Sequence, residues 1–424
     1  MDSGKNAHVF IFPFQEDHVH ASTVVLLPNG DILSAWFQGS GERQSDNGKI
    51  MGARLRSGDT LWSEPFIMAD QKNFPDINPV LFLDQQKQLW LAWYVVMANQ
   101  WETSLPMFKF SRDYENEIIP DWSWQEILIP HFVNSSERGI QPNDEFAKQV
   151  NHQIEEYEQY LKDEIMPSYP DSLKPVLSQL WENYKRKTDS LVMGRNMMRS
   201  GRIQGDESQK NILLGYPLSR RIGWQTKNKP FFIKNRMILP LYSDGLDFTV
   251  FAITENGGED WTFSSPVLGG AGIQATMAMT RDSILVAYLR DNGPPPQRMQ
   301  RTESHDFGST WTIPKDDLLP NPGAGFDMVT LDNGDWLIVY NHTEAGRHSL
   351  DVAISDDGGK SWKWRKKLEY DDNPIHDAAF HYPSVIQHHD QVHVVYSYHI
   401  NVDGKKLKTI KYTSFPALWV KQEQ

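Results

Sequence analysis

Six stretches of the chain share one hydrophobic rhythm. They are "STVVLLPNGDILSAWF" from Ser22, "NPVLFLDQQKQLWLAWY" from Asn78, "KPFFIKNRMILPLYSD" from Lys229, "QATMAMTRDSILVAYLR" from Gln274, "DMVTLDNGDWLIVYN" from Asp327 and "YPSVIQHHDQVHVVYSY" from Tyr382. Each carries two β-rich, partly alternating runs joined by a polar turn, the pattern of an antiparallel hairpin. More strand-like sequence follows every hairpin. Six sheets of four strands are therefore expected, an all-β six-bladed β-propeller occupying residues 1–424 as one domain. "HVFIFP" near the N-terminus is the expected strand that closes the last sheet.

A second pattern repeats about every fifty residues, the length of one blade. Ser304-x-Asp306-x-Gly308-x-x-Trp311 returns as Ser355 to Trp362 and, with Thr and Asn at its head, as Thr254 to Trp261. Asp or Asn accepts backbone N–H bonds in a tight turn, Gly supplies a positive φ, and Trp covers the apolar side of the hairpin. This is turn chemistry. It belongs between third and fourth strands, at the rim and away from the axis.

One interval breaks the rhythm. Asn78 and Lys229 are much farther apart than one blade requires. The excess, residues 140–200, is rich in Lys, Glu and Gln, with Ile154, Tyr157 and Leu161 at helical spacing. Pro167 and Pro170 divide it into two predicted helices. A helical insertion of this kind suits a lid, an oligomer contact or a passive decoration, and the pattern does not choose among them.

Composition narrows the partners. A net charge of −13 argues against nucleic acid. There is no run of eighteen apolar residues to span a membrane. No basic stretch followed by an apolar core opens the chain, and cysteine is absent, so a cytoplasmic location is expected, without disulfides or thiolate metal sites. No metal or cofactor motif stands out; the run His388–Asp390 falls in a hairpin turn. Fifteen Trp, fifteen Tyr and twenty Phe suit a β core and also the faces of sugars.

Propeller geometry sorts the polar residues. First-strand starts and second-strand ends share one face with the loops that leave the second strands. That face gathers His18, His20, Asn78, Lys229, Gln274, Asp327, His381 and Tyr382 at strand starts, and Tyr242, Asp244, Arg290, Asn341 and Tyr398 at strand ends. Its loops add Glu42, Asp46, Glu344 and Arg347, and the segment before blade three adds Arg220, Arg221, Trp224 and Lys227. Basic groups converging with acids and a phenol suit a small anionic ligand.

These residues in this order resemble the sialidase (neuraminidase) superfamily, most closely its branch of BNR-repeat "predicted neuraminidases". The resemblance covers nearly the whole chain except the helical insertion. It implies arginines that clamp a sugar carboxylate, matched by Arg290 and Arg347. It implies a nucleophilic tyrosine matched by Tyr382 and an acid/base aspartate matched by Asp46. Two positions depart: His20 stands where an arginine is expected, and Gln274 where a glutamate should take the phenol proton. An amide cannot do that. Glu344, Asp327 and His381 are the candidate replacements.

Three functions follow as expectations. One is an exo-acting glycoside hydrolase on a terminal acidic sugar, sialic acid or a related ulosonic or uronic acid. Another is a uronate lyase with His20 and Tyr382 as base and acid. The third is a non-catalytic sugar-binding propeller. The partner in each is a small acidic sugar or glycan terminus, contacted also by Arg221, Lys229, Asn78, Tyr242, Asp244, Asp327 and Glu344.

Overall fold

The computed structural model describes residues 7–128, 144–192, 198–199, 202–203, 222–294 and 296–422. Six antiparallel sheets follow one another along the chain and form a six-bladed β-propeller with a small helical segment. The first strands, which line the axis, are His18–Leu26, Asp76–Leu83, the broken pair Gln225–Thr226 and Phe231–Ile233, then Gly272–Met279, Asp327–Thr330 and Ala379–His388. In every blade the second strand pairs with the first and the third with the second. Blade six takes its fourth strand, Ala7–Phe10, from the other end of the chain, where it pairs with Lys405–Pro416.

Alternation explains the packing. Both faces of a blade are covered by its neighbours, so second strands read as nearly continuous apolar runs; Leu89–Val96 is buried at every position. Large rings fill the wedge between blades. Trp90 stacks between Phe82 and Phe108, and its indole N–H donates to Asp84 at 2.8 Å.

The rim turns follow the repeat. In blade four Ser304 Oγ donates to Asp306, Gly308 N–H donates to Ser304 Oγ, and Thr310 N–H donates to Asp306, each at 2.8 Å. Blades three and five repeat these bonds with Thr254, Asn256 and Gly258, and with Ser355, Asp357 and Gly359. Glycine is required at Gly359 on two counts. Its φ is +80°, and a Cβ there would lie 2.4 Å from Tyr288 Oη of the preceding blade. The turn thereby ties one blade to the next.

Two helices fall within the predicted insertion. Helix α1 spans Glu145–Tyr160 and begins at Asp144, whose carboxylate accepts from Ala147 N–H at 3.0 Å. Its Phe146, Ala147 and Val150 join the core of blades two and three. A wide turn and a short 3-10 turn, Met166–Ser168, carry the chain past Pro167 into helix α2, Lys174–Val192. A last short helix, α3, covers Ala417–Lys421.

Candidate active site

Four first strands break register near the axis, in blades one, two, four and six. The break in each holds a non-glycine residue with positive φ: Ala21 (+54°), Asn78 (+47°), Gln274 (+56°) and Tyr382 (+45°). Such a conformation costs about 1 kcal/mol or more per residue. A bulge re-aims a side chain that a regular strand would direct elsewhere. The polar members of this ring meet.

Tyr382 Oη is the centre. It accepts from Arg290 Nη1 at 2.8 Å and from Gln274 Nε2 at 3.0 Å. Gln274 Nε2 also donates to Tyr242 Oη (3.2 Å), which accepts a second bond from Asn78 Nδ2 (3.1 Å). Arginine offers only donors, so the Gln274 amide oxygen faces Arg290 Nη1 (3.3 Å) and its NH2 faces both phenols. A glutamate here would accept where this amide donates. Gly325 leaves room for the ring; a Cβ there would meet Tyr382 at 2.7 Å.

Two further cations stand over the phenol. Lys227 Nζ lies 5.3 Å and Arg347 Cζ 5.8 Å from the Tyr382 ring centroid. Burial pushes the Lys227 ammonium down to about 8, against the pull of Asp327. Arg290 is also buried, which would lower its pKa, yet Tyr382 and Asp244 outweigh that effect and raise it. Asp244 itself is pushed up to about 6 by burial, with Arg290 opposing.

Histidines form the other wall. His20 lies 4.3 Å from the Tyr382 ring, 5.1 Å from His381 and 5.7 Å from His399, and His381 is 4.5 Å from His399. Arg347 Nη1 donates to His381 Nδ1 at 2.7 Å, so that nitrogen carries no proton. Burial, and then the neighbouring imidazoles, hold His20 and His381 well below the ordinary range. Burial holds His399 near 4, against the hydrogen bond to Val19 O. The rings are neutral at neutral pH. Among the described residues no three His, Asp or Glu side chains are placed to hold a metal ion.

The other candidates are distributed as follows. Lys229 and Asp327 pair at 2.5 Å one step deeper along the first strands, where Ser384 and Thr276 also bond to Asp327. Glu344 is exposed and pairs with Arg298 at 2.8 Å. Asp46 is exposed and, among the described residues, makes no side-chain hydrogen bond or ion pair. Glu42 of the same loop reaches His18 at 3.4 Å. Asn341 is buried, with its amide on Ser349 O and Phe380 O, and serves the fold. Arg220 and Arg221 lie outside the described residues.

Tyr398 does not face the axis. It packs on Phe14 and Phe380, and the next residue, His399, faces inward instead. Side chains alternate along a strand, so an error of one position reverses the face. Tyr94 was also missed. It sits near the end of the second strand of blade two, as Tyr242 does in blade three, and is fully buried. Burial first, then Tyr242 and Asp244, hold its phenol far above the ordinary range. The rule that selected Tyr242 selects Tyr94 when applied to blade two.

Size alone would mislead. A hollow of about 830 Å³ lies on the opposite face, between the turns at Asp84–Gln88 and Thr254–Gly258, and contains none of these groups.

A family model described as a BNR repeat-like domain matches residues 30–142 and 223–394. The chain belongs to that family. The match omits the segment that carries α1 and α2. Among curated proteins, none matches the sequence. Similar solved structures include a protein of unknown function from Dyadobacter fermentans, with a TM-score of 0.62 and 14% identity over 98% of this chain and 100% of the other. Trypanosoma rangeli sialidase in complex with sialic acid gives 0.59 and 10% over 97% of this chain, which spans 59% of the trypanosomal one. Penicillium chrysogenum α-L-arabinanase complexed with arabinobiose gives 0.52 and 11% over 96% and 97%. At these identities the likeness shows the fold. These sialidase and arabinanase neighbours are glycoside hydrolases.

Proposed function

We propose that this BNR-family propeller is an exo-acting glycosidase on a terminal sugar that bears a carboxylate. One observation carries the reading: three cations, Arg290, Arg347 and Lys227, surround the phenol of Tyr382, and Arg290 touches its oxygen at 2.8 Å. Guanidinium groups suit a planar carboxylate. Next to an anionic anomeric centre, a phenol avoids the repulsion that a second carboxylate would feel, as in glycosidases with a tyrosine nucleophile.

In this reading Tyr382 Oη bonds to the anomeric carbon as the glycosidic C–O bond breaks. Asp46, on its exposed loop, gives a proton to the departing oxygen. Water then cleaves the glycosyl–tyrosine bond. Gln274 cannot take the phenol proton, which has to leave through the open side of the pocket.

That last point supports a second reading. Gln274 donates to Tyr382 and takes no proton from it, which leaves the phenol available as an acid, and the neutral His20 ring lies 4.3 Å away. His20 as base and Tyr382 as acid would carry out elimination on a uronate, with Arg290 and Arg347 neutralising the carboxylate. A panel of fluorogenic sialosides and uronides separates the two. Aglycone release without a new unsaturated-uronate absorbance supports hydrolysis, and the absorbance supports elimination. Gln274→Glu restores a proton acceptor and should accelerate hydrolysis but not elimination. Binding of the acids with neither product leaves a lectin.

A further inference from the structure

Beside Arg290 a second hollow, of about 450 Å³, opens between the helical hairpin and blade four. One wall is aromatic. Tyr157 of α1 leans on Trp181 of α2, with ring centroids 5.2 Å apart, and Trp181 stacks on Tyr184 at 5.4 Å and 20°. The facing wall is polar and includes Asp247, Asn292 and Asp316. Two glycines let the walls approach: a Cβ on Gly269 would meet the Tyr157 ring at 2.1 Å, and one on Gly270 its hydroxyl at 2.9 Å.

Asn292 joins this hollow to the phenol site. Its Oδ1 accepts from Arg290 Nη2 at 3.2 Å, and its Nδ2 donates to Asp247 Oδ1 at 3.1 Å. The other Asp247 oxygen accepts from Lys187 of α2 at 3.2 Å. The helical hairpin is thus tied, through one carboxylate and one amide, to the arginine that touches Tyr382.

We infer that this hollow is the subsite for a neutral sugar ring, the one to which the terminal acidic sugar is joined. The acidic partner rests on the function proposed above; the neutral subsite rests on its own walls. Flat aromatic rings cover the C–H face of a sugar, while carboxylates and amides take its hydroxyls. The volume lies within the usual range for small-ligand pockets. The sign of the charge sets the direction of the chain. Cations gather around Tyr382 and carboxylates line this wall, so an acidic ring is repelled here and drawn there. The helices are then a specificity element absent from the residues that the family model matches.

The test uses the full chain and no turnover. Saturation-transfer NMR is run with lactose, cellobiose, maltose and xylobiose at millimolar concentration. At least one should bind, should still bind Arg290→Ala, and should lose about tenfold or more in affinity with Trp181→Ala. Trp181 also holds the two helices together, so Leu180→Arg is the second variant. It places a long cation at an exposed edge of the hollow (46% exposed) and should remove binding with no change in melting temperature. No binding by any member, or binding that survives Leu180→Arg, overturns the inference. Failure of the acidic-sugar reading looks different: neutral sugars bind while an acidic monosaccharide does not.

Discussion

The rim turns and the axial mouth lie on opposite faces of the same blades and are held in different ways. At the rim the same bond recurs in three blades: Gly308 N–H to Ser304 at 2.8 Å, Gly359 to Ser355 at 2.9 Å and Gly258 to Thr254 at 3.0 Å. Its partners are four residues apart. At the mouth no bond repeats among the described residues, and partners come from distant blades, as Arg290 and Gln274 do for Tyr382. Repetition marks what the fold needs in every blade. Its absence marks what one ligand needs once. The two faces should therefore fail differently, activity at the mouth and stability at the rim.

Tyr382→Phe gives the largest expected effect. Turnover of the acidic glycoside should fall by about three orders of magnitude or more, with the melting temperature nearly unchanged and the sugar still bound. Calorimetry beside the kinetic assay checks this; full activity would remove the phenol from the chemistry. Arg290→Ala comes next. It should weaken binding of the acidic sugar by about 3 kcal/mol, measured by titration calorimetry, because the lost partner leaves a buried carboxylate unpaired.

At the rim Gly359→Ala should cost about 2 kcal/mol in a urea melt, from positive φ and the clash with Tyr288, and leave affinity unaltered. Asp306→Ala should cost about 1 kcal/mol, since it removes the acceptor for Ser304 and Thr310. A loss of ligand binding in either variant would break the division between the two faces.

Acid sharpens it in the smallest step. His20, His381 and His399 take up protons in the unfolded chain near pH 6.5 but resist them when folded. Stability from these neutral rings is complete above that pH and is lost as pH falls toward 4. Asp244 and Asp291 act in the opposite sense. Burial raises them to about 6 and about 7, so they favour the fold more as pH falls through that range. Comparison of His381→Asn with the parent isolates one group. Asn keeps an acceptor for Arg347, and below pH 6 the slope of stability against pH should flatten by up to about 1.4 kcal/mol per unit. Parallel curves would mean that His381 protonates freely in the folded protein.

The same division explains what could be read from the sequence. The hairpins and rim turns are local, so spacing and turn residues were enough to reveal six blades. Tyr242, Gln274, Arg290 and Tyr382 were legible because a strand's start or end fixes the face. Parity was the weak point: Tyr398 and His399 differ by one residue and point opposite ways. Loops have no period at all. In the loop after the second strand of blade one, nothing in the pattern favoured Glu42, which pairs with His18, over the solvent-facing Asp46. The amide orientation of Gln274 was equally invisible, because Arg290, a neighbour sixteen residues on, imposes it.

The seam in blade six has a temporal consequence. Ala7–Phe10 adds to Lys405–Pro416, and His20 reaches Ser397 across 377 positions of chain. During translation the N-terminal strand must wait without its sheet until the final hairpin emerges. Contacts of such long separation form late. A ribosome that stalls within blade six releases a wheel lacking its latch and with an incomplete pocket, so a finished pocket becomes a certificate that synthesis reached the last sheet.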